Sequence, residues 1–129
     1  MTKYDKNTTK ELKELLYNSY VHDAQLKNVE YKCDEYCIKV ELFNLFFNVK
    51  INLIFHNIEI AFAIKGKEYG SRETVNSLTV EEDFSYLQTY LPKYNECIED
   101  VLYLLFQLFS GDELHIVSKE VTVEIIRQY

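Results

Sequence analysis

The sequence has no tryptophan, one proline, three glycines and three cysteines in 129 residues. So few backbone breakers leave little room for linkers, and with 47% hydrophobic and 27% charged residues the composition is that of one folded domain. A chain this long buries roughly two-thirds of the surface it would expose unfolded, so it needs neither disulfides nor a structural metal. Long apolar runs are also missing: the longest, Val101 to Phe109, falls well short of the ~18 residues a membrane-spanning helix needs. Residues 1–10 are polar and lack the apolar stretch of a signal peptide, which predicts a cytoplasmic chain. Cys33, Cys37 and Cys97 are odd in number and are expected to stay reduced in that compartment. There is no glycine-rich phosphate loop, no Gly-x-Ser-x-Gly and no basic aromatic strip. No catalytic, cofactor or metal site is therefore predicted from a motif.

Positive charge is scarce in one half only. Residues 1–80 hold 11 acidic and 11 basic side chains, whereas 81–129 hold 10 acidic residues against Lys93, Lys119 and Arg127, so the net charge of −7 lies in the last 49 residues. Such a field repels phosphate, which makes nucleic acid and anionic membrane poor partners and a basic protein a good one. The ordinary role of a net charge this size is solubility.

What is present is period-two alternation. Thr8 to Glu11 fits a capping box, and Leu12, Leu15, Leu16 and Tyr20 then recur at helical spacing, which predicts a helix over about 9–20. From Gln25 to Ile64 the period changes to two. Strands are expected at Leu26 to Tyr31, Tyr36 to Leu42, Phe47 to Phe55 and Ile58 to Ile64, with Cys33-Asp34-Glu35 and His56-Asn57 as turns, giving a four-stranded antiparallel meander. Gly66 to Ser77 reads as a loop. Thr79-Val80-Glu81-Glu82 fits a second capping box for a short helix to about Leu91, stopped by Pro92. For 96–109, a polar stripe of Glu96, Glu99, Tyr103 and Gln107 favours a helix, while alternating Leu102, Leu104, Phe106 and Leu108 before Ser110-Gly111-Asp112 favours a strand, and the strand is preferred over 101–109. Leu114, Ile116, Val121, Val123 and Ile125 end the chain as β. The expected fold class is α+β: a bent antiparallel sheet or partial barrel of about six to seven strands, with an N-terminal helix and one or two further helices.

Three constellations carry possible chemistry. His22-Asp23 is a dipeptide that metal-dependent hydrolases use as two ligands, but the remaining histidines, His56 and His115, do not complete a shell, and Asp23 is better suited to bonding backbone N–H groups at a helix-to-strand corner. Cys33-x-x-x-Cys37 lacks the second paired knuckle of a zinc site. The carboxylates Glu81, Glu82, Asp83, Glu96, Glu99 and Asp100 stand on expected helix starts, where capping and solubility account for them without catalysis. Tyr86, Tyr90 and Tyr94 lie at spacing four beside them; such rings are expected to cover the open side of the sheet, or, where exposed, to form with the acids a protein-binding surface.

The opening Tyr20-Val21-His22-Asp23-Ala24, followed by Leu26, Val29, the 36–42 strand and Asn48 to Ile58, and the closing Gly111-Asp112-Glu113-Leu114-His115-Ile116, resemble a loose group of small bacterial proteins. In that group an aromatic-x-His-Asp opening precedes a β meander and a glycine-led hairpin closes the chain. Its members resemble immunity-type proteins of toxin systems or have no assigned function, and the resemblance covers about 20–65 and 101–126. It implies a binding role and carries over no catalytic residue.

The resulting expectation is a small acidic cytoplasmic protein-binding domain, of the immunity type, that occludes a basic partner surface through Glu81, Glu82, Asp83, Tyr86, Glu96, Glu99 and Asp100. No cofactor is expected. Two alternatives stand beside it: a metal-assisted hydrolase using His22 and Asp23, and a homo-oligomeric scaffold pairing through a sheet edge.

Overall fold

A computed structural model describes residues 1–17, 20–66, 70–85, 87 and 100–128. In chain order these form β1 (Thr2–Tyr4), a 3-10 turn (Lys6–Thr8), α1 (Thr9–Tyr17), β2 (Gln25–Lys32), β3 (Cys37–Asn44), β4 (Val49–Ile64), β5 (Val75–Glu81), β6 (Leu102–Leu108) and β7 (Glu113–Arg127). The seven strands make one antiparallel sheet in the order β2-β3-β4-β7-β6-β5, with β1 beside β7. One edge of β7 runs along the whole of β4, and its other edge is shared, Glu113 to Ser118 pairing with β6 and Val121 to Val123 with β1. Among the described residues no helix is long and apolar enough to cross a membrane.

The sheet bends until its two edge strands touch at one corner, where Val75 N–H donates to Ala24 C=O and Leu26 N–H to Glu73 C=O. It does not close. From Lys27 to Lys32, β2 has β3 on one side and no strand on the other among the described residues. Alternation explains the main core. Ile38, Val40 and Leu42 of β3, Val49, Ile51, Leu53 and Phe55 of β4, and Leu102, Leu104, Phe106 and Leu108 of β6 turn inward, and Leu12 and Leu16 of α1 cover them. Each such side chain contributes about 1.5–3 kcal/mol by leaving water. A second cluster, built on Leu87, Val101, Tyr103, Leu105 and Val117, lies on the other face of β6, so this strand is buried on both sides. That double burial is why 102–108 is a strand despite its helical stripe: Tyr103 is fully buried and Gln107 half-buried, and neither belongs to a solvated face.

Several expectations are corrected. A capping box stands one turn earlier than expected, on the 3-10 turn that leads into α1: the Asp5 carboxylate accepts from Asn7 N–H, and the Thr8 hydroxyl accepts from Asp5 N–H. Residues 2–4 form a strand, because β7 offers a free edge there. His56-Asn57 is no turn between two strands. β4 runs through it as one strand of 16 residues, since β7 pairs along its full length and the irregularity is absorbed by Asn57 at φ 56° and a bulge between Ile58 and Ile60. Across this point both strands change the parity that faces the main core, from Phe55 to Ile58 and from Val121 to Ile116. Thr79, Val80 and Glu81 are the end of β5, held by Leu105, Leu104 and Tyr103 of β6, and start no helix. Of the rest of that expected helix, residues 86 and 88–91 lie outside the described residues. Phe47 does not open a strand but stands in the turn before β4, 64% exposed.

Candidate interaction surfaces

Of the acidic residues singled out in the sequence, Glu81, Glu82, Asp83 and Asp100 fall at one end of the β5–β6 pair. Glu81 ends β5 opposite Tyr103, so Glu82 and Asp83 leave the sheet beside the chain that enters β6 from Asp100. Glu81 and Glu82 line a cavity of about 370 Å³ together with Lys6, Thr9 and Phe84. Their charge is partly answered: Lys13 Nζ lies 2.7 Å from Glu82, and the Thr79 hydroxyl donates to Glu81 at 2.8 Å. Ser85 N–H donates to Asp83 and holds that carboxyl below its usual range. Tyr86, Glu96 and Glu99 lie outside the described residues.

The segregation of charge along the chain does not survive folding as one acidic face. Because β7 sits mid-sheet, its acids meet partners from the first half: Glu120 pairs with Lys3, Asn52 donates to Glu124, and just before β7 Asp112 pairs with Arg72. Asp112 also accepts from Gly66 N–H, and this bond, with the Arg72 guanidinium, lowers its carboxyl below the usual range.

His22 and Asp23 pair with each other at 3.1 Å, both well exposed, at the corner before β2. Among the described residues no group of three or more His, Cys, Asp or Glu is placed to hold a metal ion. Cys33 is exposed in the β2–β3 turn, while burial, with Glu35 nearby, pushes the Cys37 thiol up. Cys97 lies outside the described residues.

A further feature is one the sequence did not suggest. β3 stops at Cys37 while β4 continues to Ile64, so the sheet opens beside the second half of β4. Two adjoining cavities of about 500 and 590 Å³ fill this opening and share Val29, Ala63 and Leu114. One wall is the β2–β3 hairpin, where Val29, Tyr31 and Tyr36 are 43%, 55% and 62% exposed; the other is β4, whose small Ala61 and Ala63 leave the groove its width.

A buried polar network backs this groove. Phe62 alternates with Ala61 and Ala63 of the wall and turns its ring to the opposite face of the sheet, where it stacks on the His115 ring with centroids 4.3 Å apart. His115 Nε2 lies 2.8 Å from Glu113, and its Nδ1 lies 2.5 Å from the Tyr103 hydroxyl. A carboxylate, an imidazole and a hydroxyl in line suggest a hydrolytic relay, but the order is reversed with respect to solvent. In such relays the hydroxyl faces the cleft and the acid is buried. Here Glu113 and His115 share the face of β7 that holds Phe62 and Tyr103, opposite to Leu114 and Ala63 of the groove, and His115 and Tyr103 are fully buried, so the network presents no nucleophile to the groove. Comparisons with protein-family models, with curated proteins and with solved structures find no match.

At the far end of β3 and β4 lies a second exposed apolar feature. Leu45, Phe46 and Phe47 follow one another in the turn, 70%, 83% and 64% exposed. The turn itself is tied down. Buried Asn44 donates from its amide to Tyr20 C=O at 2.8 Å and accepts Phe47 N–H at 3.2 Å, and Gln128 N–H donates to Asn48 C=O. Asn48 takes φ 53°, which its short polar side chain tolerates better than most. Asparagine at both ends of an apolar triplet was the signal available in the sequence.

Proposed function

We propose that this chain is a small protein-binding domain that takes an apolar segment of a partner protein into the groove at the open end of its sheet. The observation behind the reading is the company Tyr31 and Tyr36 keep: two large, mostly exposed rings beside Ala61 and Ala63 in a groove of about 590 Å³. Aromatic side chains flanking a pocket are the usual anchors of protein interfaces, since they bring area at little cost in rotamer freedom. The stack of Phe62, His115 and Tyr103 on the opposite face of the same strands favours binding further, because it holds the backbone that carries Ala61, Ala63 and Leu114, and a surface already ordered loses little entropy on docking. An immunity-type inhibitor, which acts by occlusion, needs such a surface and no catalytic group. Nucleic acid, membrane and cofactor have no part in this reading.

The test is site-specific photocrosslinking in host lysate, with the reactive residue placed at Tyr31, at Tyr36 or at the exposed Tyr17 of α1. Adducts with one protein from positions 31 and 36 but not 17 are expected. Equal labelling from all three would remove the groove as the site.

A second reading has its own support: Glu82, Asp83 and Asp100 are exposed together at the end of the β5–β6 pair and could mask a basic partner. Replacing Glu81 and Glu82 by lysine should then slow association and flatten its salt dependence; unchanged on-rates would end that reading.

A further inference from the structure

We infer that the groove's occupant is the Leu45–Phe47 turn of a second copy of this chain, so that copies join head to tail. The inference rests on the reading of the groove as a docking site and names what fills it.

Three observations carry it. The turn is a preformed apolar projection: its backbone is pinned by Asn44 and Asn48 while Leu45, Phe46 and Phe47 stand in water. Exposed apolar groups in sequence on an ordered turn are the usual mark of a contact site. Projection and groove lie at opposite ends of β3: the turn follows Asn44, whereas Tyr36 and Ile38 of the groove stand at the Cys37 end, seven residue steps or roughly 23 Å away. The turn therefore reaches another molecule's groove more readily than its own. Charge is complementary as well. Between Asn44 and Lys50 there is no carboxylate, and Lys50, held by Glu41, and Arg127, lying over the Tyr20 ring, flank the turn. At the groove the hairpin tip carries Asp34 and Glu35 beside Lys32, β4 contributes Glu59, and the other end is lined by Lys65, Glu113 and the paired Arg72 and Asp112, so carboxylates outnumber cations.

Because the two surfaces differ, the contact is heterologous, and repeating it makes a ring or a filament rather than a closed two-fold dimer. The experiment uses that asymmetry. Phe46→Asp destroys the projection and keeps the groove; Ala63→Arg fills the groove and keeps the projection; Tyr36→Asp is a second groove variant at an exposed turn position. Sedimentation over a wide range of concentration is expected to show the native chain growing in mass, with self-association weakened tenfold or more in each variant. Mixing Phe46→Asp with Ala63→Arg is expected to restore one contact per pair and stop at two chains, and Tyr36→Asp should substitute for Ala63→Arg. Circular dichroism equal to the native chain's secures folding of all three.

A native chain that stays monomeric throughout overturns the inference, and so does a mixture that forms no pairs. If crosslinks from Tyr31 and Tyr36 then still go to a foreign protein, the second copy is excluded while the groove remains the docking site. Binding of the native chain, but not of Phe46→Asp, to phosphatidylcholine vesicles without self-association would likewise overturn it and assign the turn to a lipid surface.

Discussion

Asn44→Ala tests whether one buried amide holds both the corner before β2 and the exposed turn before β4. Asn44 is 2% exposed and bonds in both senses, its amide donating to Tyr20 C=O at 2.8 Å and more distantly to His22 C=O at 3.5 Å, its oxygen accepting Phe47 N–H. A hydrogen bond of this kind is worth a net ~0.5–1.5 kcal/mol, and a buried group left without a partner costs about 1–3 kcal/mol. Phe47 lies in the open, so water replaces the oxygen at its N–H cheaply; Tyr20 is half-buried and its carbonyl is not so easily served. The expected loss is therefore about 2 kcal/mol, most of it at Tyr20. Asn44→Asp separates the two halves. It keeps an acceptor for Phe47 N–H but sets a carboxylate against Tyr20 C=O, so it should cost at least as much as alanine, whereas a role confined to Phe47 would make aspartate harmless. Urea unfolding with unchanged slope measures the loss. Hydrogen exchange at Phe47 N–H reports the turn directly: slow in the native chain, fast in Asn44→Ala, and still slow in Asn44→Asp. Stability within about 0.5 kcal/mol of native in both variants, the range of an ordinary surface change, would refute the assignment.

Asp112 gives a pH prediction: its folded value lies below the unfolded one, so its contribution is fully present above the unfolded carboxyl pKa and is lost as pH falls through the folded value, and Asp112→Asn should unfold with a shallower acid-side decline. Gly66→Ala should lower the melting temperature, because a Cβ there would stand 2.3 Å from Ser110 O and Gly111 C, backbone atoms that have to shift, at a cost of roughly 1–3 kcal/mol; an unchanged melting temperature would mean the Gly66 loop moves freely away from Asp112. With Cys97 replaced by serine, Cys33 should react quickly with a thiol reagent and Cys37 slowly until the chain unfolds, as burial predicts.

Local pattern was legible wherever one face of a strand is buried against a single core. Ile38, Val40 and Leu42 alternate in sequence as they do in the sheet, and Leu12 and Leu16 mark the covered side of α1. The misreadings share a cause. Thr79-Val80-Glu81-Glu82 has the letters of a capping box, but pairing of β5 with β6, more than twenty residues on, decides it. His56-Asn57 has the letters of a turn, but β7, some sixty residues away, straightens it into β4. Long-range partners outvoted local signals in both places, as tertiary context commonly does. The candidate site was less legible still. Val29, Ala61 and Leu114 border one groove only because β4 outruns β3 and β2 bends over the gap, and nothing in the spacing of three such residues shows it. The acidic residues were easy to see, but the pairing of Glu120, Glu82 and Asp112 with Lys3, Lys13 and Arg72 of the first half arises only in the fold.

β7 is the last of these strands in sequence and the one that β4, β6 and β1 all lean on. During synthesis the other six are therefore made before the strand that joins them exists. Until Glu113 to Arg127 emerges, β4 presents a 16-residue unpaired edge and β6 a strand that is to be buried on both faces, each a ready template for another chain. The price of a central strand placed late is a long exposure of sticky edges, so this chain's yield in a cell should depend on how quickly its final strand is delivered, and a stalled or shortened message should give aggregate rather than a smaller folded piece.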